Sequence, residues 1–446
     1  MKKQERKIII KMWLAMNAHL NSCFVRRSAP FYKLMESCDI FPKKIIYFRT
    51  NIHLSLEVWR YFPVLPLEKP QPDFELFKEV LMGEEKPKKA HFAEYAIDPE
   101  AMNTVAERLK LDMKPIPNVL RYRPDELRGQ PIDIFEMAKS NIKFHYYMGY
   151  DYVQNFVCSP GVGLLVQLSV FGKRRLADDT AILTEPGSKR VWVEEREGLV
   201  SSWEEFERFK SQQFLELPIK ETYEFISKNL PDGMKVSVAG GTIWEMALER
   251  IMGYVNLFRK LREDPDLVKA VIDWVAERLY KEYKIVVEFD CVGAIFHSDD
   301  LGYKKGTMVN PDVYREMVFP WFKKYAQLAH RHGKMYWYHS CGNVEAVMED
   351  LIEDVKIDAF HSFQDEIIPV WKFQEKYGDR VATLGGVDVD KLARYEASQL
   401  RAYVKSILDK CMPRGRYALG SGNSVTNYVP VENYLVMLEE GLKWRP

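Results

Sequence analysis

The stretch KMYWYHSCGN (334–343) decides how this chain is read. Met335, Tyr336, Trp337 and Tyr338 form an unbroken apolar and aromatic run that ends on His339 and, two residues later, Cys341. A strand with one wet face alternates apolar and polar residues, whereas a run that is apolar throughout belongs to a parallel sheet covered on both faces. The same kind of segment recurs on either side of it. After Asp232 the strand candidates are KVSVAG (235–240), IVVEFD (285–290), AIFHSDD (294–300), IDAFHS (357–362), VATLGGVD (381–388) and RYALGSG (416–422).

Helical signals fill most of the intervals. Asn310 before Pro311 opens one helix, Pro320 breaks or restarts it, and Gly333 closes it ahead of 334–343. Asn343 reads as the N-cap of the next, with Val344, Val347, Met348, Leu351 and Ile352 on one face. DPEAMNTVAERLKL (98–111) is helical by the same tests. Alternating β and α units leave a doubly wound sheet or a barrel. No G-x-G-x-x-G and no Walker-type loop follows a strand, so the nucleotide-binding readings lose support. The sequence predicts an α/β protein: a (β/α)8 TIM barrel, with a β-hairpin inserted from TAILTE (180–185), the turn PGSK (186–189) and RVWVEE (190–195).

Composition bounds the rest. The 446 residues are 47% hydrophobic and 29% charged, with 64 basic and 64 acidic side chains. A chain so balanced lacks the basic excess that nucleic acid or an anionic membrane surface selects. Its 6 cysteines show no paired spacing and read as reduced thiols of a cytoplasmic protein. The basic then apolar N-terminus is interrupted by Lys11 and lacks a clean cleavage site, and no segment approaches the roughly 18 apolar residues of a membrane span. Residues 1–72, set off by PLEKPQPD (66–73), read as an extension, and 73–446 as the barrel.

Barrels gather their chemistry at the C-terminal ends of the strands. There this sequence places Ser298, Asp299 and Asp300; His339 and Cys341; His361 and Ser362; Asp388; and Ser421 with Asn423. His339 and Cys341, two apart, share a side if extended geometry continues through Ser340. Histidine and cysteine suit zinc, and a catalytic zinc keeps one position open. Blander roles compete. Asp299 and Asp300 could cap the next segment, Tyr336 to Tyr338 could be core, and His330 and His332 suit a helix C-terminus. His297 and His361 are open to either reading.

The segments 76–102, 297–325, 332–343, 384–392 and 416–441 together resemble the uroporphyrinogen decarboxylase superfamily, from about Phe74 to the end. The resemblance implies a (β/α)8 barrel. The arginine motif RQAGRY of the porphyrinogen decarboxylases is missing, and Ser421 in LGSGN stands where they carry the histidine of GHG. The chain looks closer to the corrinoid-dependent methyltransferases, whose zinc is held by an H-x-C pair and a later cysteine. His339 and Cys341 match the pair, and Ser421 replaces the later cysteine. The third ligand is then expected from His361, with Glu366 or Asp300 as alternatives, and Asp299, Asp300, Ser421 and Asn423 are expected to serve catalysis. The resemblance implies zinc, a corrinoid (cobalamin) carried by a partner protein, and a small methyl donor or thiol acceptor. Two alternatives remain. One is a decarboxylase using Arg174 and Arg175 as its cationic partners; the other is a non-catalytic binding barrel.

Overall fold

In β9 (Met335–His339) the side chains divide by parity. Met335 and Trp337 join an inner cluster with Phe74, Phe77, Tyr152, Ala294 and Phe296, while Tyr336 and Tyr338 pack outward against the helices. That two-sided burial is what an all-apolar strand requires. The computed structural model describes residues 65–117, 133–168, 176–178, 191–193 and 198–446. Residues 1–64, most of the expected extension, lie outside the described residues, as do Arg174 and Arg175.

The named strands before β9 are β1 (Ala96–Ile97), β2 (Tyr152–Asn155), β3 (Leu176–Asp178), β4 (Val191–Val193), β5 (Lys235–Ala239), β6 (Val292–Ser298), β7 (Gly302–Tyr303) and β8 (Gly306–Thr307). After it come β10 (Ala359–His361), β11 (Ala382–Leu384), β12 (Tyr417–Ala418) and β13 (Ser424–Val425). A 7-stranded parallel sheet runs β12-β11-β10-β9-β6-β5-β2, so the later strands are laid down in sequence order with helices between them. Residues 91–95 supply one more strand. Phe92 bridges Leu419 in parallel, with the Ala93 N–H on Leu419 O and the Leu419 N–H on His91 O, both at 2.8 Å.

The other edge of 91–95 meets β2 differently. His91 Nδ1 lies 2.6 Å from Asp151, Tyr152 Oη hydrogen-bonds both the N–H and the carbonyl of Glu94, and Gln154 donates to Tyr95 O at 2.7 Å. The barrel is therefore closed at this seam by side chains, with no backbone bridge between the two among the described residues.

Several local expectations change. IVVEFD is no strand: Ile285 and Val286 end the helix Pro265–Val286, whose buried Val268, Val271, Ile272, Val275, Leu279 and Tyr283 set a helical period that β-branched residues do not override. The hairpin exists, but β4 pairs antiparallel with Leu176–Asp178, upstream of TAILTE, and residues 179–190 lie outside the described residues. The face Val344, Val347, Met348, Leu351 and Ile352 is buried as expected, yet its backbone is a 3-10 turn Glu345–Val347 and a π-helical turn Asp350–Val355. The N-cap is Val344; Asn343, one residue earlier, accepts the Glu345 N–H at 3.0 Å. Pro311–Met317 and Phe319–Arg331 divide at Val318, with Pro320 in the first turn of the second helix, where it restarts the helix and does not itself form the break.

Candidate metal centre

Register brings the mouth together. His339 is level with Ser298 of β6 on one side and with His361 of β10 on the other. Two residues past Ser298, on the same side of an extended chain, stands Asp300. Its Oδ1 accepts the Cys341 N–H at 2.6 Å and lies 3.7 Å from His339 Nε2, and Cys341 Sγ is 3.4 Å from that same nitrogen. One ligand atom from each of Asp300, His339 and Cys341 falls within 4.8 Å of the others. The turn after Cys341 is tight because Gly342, at φ +78, presses on Gly302; a Cβ there would sit 2.2 Å from the Gly302 carbonyl carbon.

The surroundings define the chemistry. Tyr95 stacks on the His339 ring at 4.2 Å between centroids. The Asn423 amide donates to Cys341 Sγ at 3.1 Å. Burial drives the Cys341 thiol well above its ordinary value, reinforced by Asp300 and Glu245, while the Asn423 bond opposes the rise. Burial also raises Asp300, and it raises Glu245 strongly, helped by repulsion from Asp300, Glu249 and Asp299. Among the described residues no lysine or arginine ion pair reaches Asp300 or Glu245. Imidazole, thiol and carboxylate in one half-buried cluster short of positive charge form a donor set whose chemistry fits a zinc-like cation.

The other expected site residues are placed otherwise. Asp299 is a cap: its carboxylate accepts the N–H groups of Ile243, Trp244 and Glu245 at 2.8, 2.9 and 2.8 Å. Burial pushes it up to about 7 against those bonds. His361 does not point at the cluster. Its Nδ1 lies 2.6 Å from Nδ1 of His339, and its Nε2 lies 3.1 Å from Ser421 O. Glu366 is an exposed partner of Lys304 and does not join the metal group, because the 362–368 segment carries it outward to solvent. Ser421 gives its hydroxyl to Glu94 Oε2 and its N–H to Glu94 Oε1 at 2.8 Å. Asp388 caps the helix Val389–Arg394. Ser362 bonds to Ser340 O. His297 is buried on the helix side beside Tyr283, and Cys411 is buried at the end of the helix Ala397–Cys411. His330 and His332 pair with Asp358 and Glu288.

Sequence reasoning passed over Glu94, Tyr95 and Glu245. Glu94 and Tyr95 end a strand with only HFA (91–93) as its apolar signal, and Glu245 follows the β5 strand inside a helix. Burial pushes Glu94 up to about 8 from 4.5, with its Ser421 bonds opposing. A carboxyl raised on folding gives stability that is present below its unfolded value and lost as the pH climbs through the folded one. The window is therefore pH 4.5 to about 8. Urea unfolding across it should show Glu94→Gln losing less stability with rising pH than the parent; parallel curves would remove Glu94 as the source.

Residues 196–443, more than half of the chain, match the family model described as uroporphyrinogen decarboxylase (URO-D). The chain belongs to the uroporphyrinogen decarboxylase family. Among solved structures this URO-D family barrel is similar to a methyltransferase from Methanosarcina mazei, at 16% identity and a TM-score of 0.57 over 81% of this chain and 96% of that one. It is also similar, at 13% identity and a TM-score of 0.39 over 80% and 96%, to a chain from Listeria monocytogenes assigned as a vitamin-B12 independent methionine synthase. At such identities the first likeness is one of fold, and the second adds nothing to it. No curated protein matches the sequence. No helix among the described residues is long and apolar enough to cross a membrane.

Proposed function

We propose that this URO-D family barrel is a zinc-dependent methyltransferase that moves a methyl group between a small methylated or thiol substrate and a corrinoid presented by a partner protein. The observation that carries the reading is the convergence of Asp300, His339 and Cys341 at the barrel mouth. His339 Nε2, Cys341 Sγ and an Asp300 oxygen would hold the ion. Bound there, zinc supplies Lewis acidity, which keeps a substrate thiol ionised near neutral pH or draws charge from a leaving oxygen.

The chain's own residues do the rest. Asp300 fixes the loop at Cys341 by taking its N–H, so sulfur and carboxylate are held on one side. Asn423 donates to the sulfur and stabilises its anionic form. Tyr95 covers one face of His339 and keeps water from it. Asp299, by gathering three N–H groups, anchors the 243–245 turn that carries Glu245 beside Asp300.

Decarboxylation of a polycarboxylate fits less well. Such a substrate needs cationic partners, and the described mouth offers Glu245, Asp299 and Asp300 instead. Metal analysis of the purified full chain tests the proposal. The expected result is about one equivalent of zinc per chain, together with methylation of free cob(I)alamin, followed by its absorbance, when methylated phenols, amines or thiols are supplied. A chain that binds no zinc at micromolar concentration would sink the reading.

A further inference from the structure

A chain of contacts runs behind His339, away from the cluster, and its far end is a residue that no ligand argument needs. Glu94 accepts the N–H of Ser421 at 2.8 Å and also its hydroxyl, so the Ser421 peptide is gripped from one side. The Ser421 carbonyl faces the other way and meets His361 Nε2 at 3.1 Å. His361 Nδ1 meets His339 Nδ1 at 2.6 Å, and His339 Nε2 faces Cys341 and Asp300. Glu94, Ser421, His361 and His339 are all buried.

Proton positions along this line are not free. A carbonyl oxygen only accepts, so His361 must carry its proton on Nε2. Both rings are buried, and an uncompensated charge there is costly, so each ring holds a single proton. His361 Nδ1 is then a bare lone pair. Were His339 Nδ1 also bare, two lone pairs would face each other at hydrogen-bond distance. His339 therefore donates from Nδ1, and its Nε2 is left unprotonated toward Cys341 and Asp300. The backbone makes room for the line at Gly385, φ +85, where a Cβ would lie 2.2 Å from Ser421 O and 3.0 Å from His361 Nε2. Only a residue without Cβ lets β11 pass that close.

We infer that Glu94 and His361 are positioning residues which, through the Ser421 carbonyl, fix the proton of His339 on Nδ1 and present its Nε2 as a ready ligand to a cation. The inference rests on the metal reading proposed above and adds to it a control over the ligand that lies on other strands of the barrel. An imidazole locked in this way loses no free energy to tautomer change or ring rotation when it binds. Partners of this kind typically alter metal affinity by about 10–100-fold.

The test uses the full chain and Co2+ as probe, read by its visible ligand-field bands and by competition with a chelator. His361→Leu removes the acceptor, whereas His361→Asn keeps an oxygen where Nδ1 stood. Glu94→Ala frees the Ser421 peptide, whereas Glu94→Gln still accepts its N–H. We expect Co2+ to bind about 10–100-fold more weakly in His361→Leu and Glu94→Ala, with changed bands, and near the parent value in His361→Asn and Glu94→Gln. If Glu94→Ala does not fold, the His361 pair decides alone. Parent-like affinity and spectrum in His361→Leu would overturn the positioning role while leaving the metal site standing. A parent chain that binds no Co2+ would overturn the site itself, and the positioning role with it.

Discussion

Cys341→Ser is expected to strip the barrel of its metal and of any methyl transfer while leaving it folded. Each ligand of a protein zinc site accounts for about a quarter to a third of a total near 10–16 kcal/mol, so losing the thiolate weakens binding on the order of 10²–10⁴-fold. Asp300→Asn should cost less, because an amide oxygen still reaches the site and still accepts the Cys341 N–H. The affinity also has a pH dependence of known sign. Burial holds the free Cys341 thiol above its ordinary value, so at neutral pH a proton must leave as the metal enters. Affinity therefore rises with pH by about tenfold per unit below the thiol value. Calorimetry in buffers of different ionisation heat would count that proton. A flat pH profile, or zinc retained at full occupancy in Cys341→Ser, would place the metal elsewhere.

Trp337→Ala is expected to destabilise the barrel by about 3–5 kcal/mol, the cost of removing a large aromatic ring from a filled core. Trp337 is wholly buried and packs edge-on against Phe77, Tyr152 and Phe296, at 5.9, 5.2 and 5.5 Å between centroids. Phe77 comes from the helix Phe74–Met82 and Tyr152 from β2, so the cavity would open between that helix and the sheet. Tyr336→Phe is the informative neighbour. Its hydroxyl is buried and meets no partner among the described residues, so removing it should be neutral or slightly stabilising. Urea denaturation of the two variants gives the comparison. A loss under about 1 kcal/mol for Trp337→Ala would mean the inner cluster collapses to fill the gap.

The late barrel was legible because its strands are apolar on both faces and its helices carry their own stops. IVVEFD failed for a related reason. The apolar end of a long buried helix has the same local composition as a buried strand, and only the spacing back to Val271 and Val275 separates them. β2 was illegible since two of its four residues, Gln154 and Asn155, are polar; both are used inside the protein, Gln154 to hold Tyr95 and Asn155 to order the 157–159 turn. The third ligand proposed for the cluster was readable only as a short set. His361 was favoured as the neighbour of His339 across the sheet, and it is that neighbour. Being level with His339, its ring lies alongside the other ring and meets it through Nδ1, on the side away from sulfur. Asp300 reaches the sulfur from the opposite neighbour because it stands two residues farther up its strand. Strand stagger decides which residue faces the sulfur, and stagger is set by packing that no local pattern encodes.

The seam between residues 91–95 and β2 has a consequence for how this barrel holds its circumference. Backbone ladders close a cylinder for almost any side chains that fit. Here closure depends on His91 with Asp151, Tyr152 with Glu94, and Gln154 with the Tyr95 carbonyl. Closure at this line is thus a property of a few particular letters of the sequence, open to revision one residue at a time. The same line carries Glu94 and Tyr95, so the width of the cylinder and the dressing of its mouth are inherited together: a substitution that loosens the clasp also shifts what stands around His339.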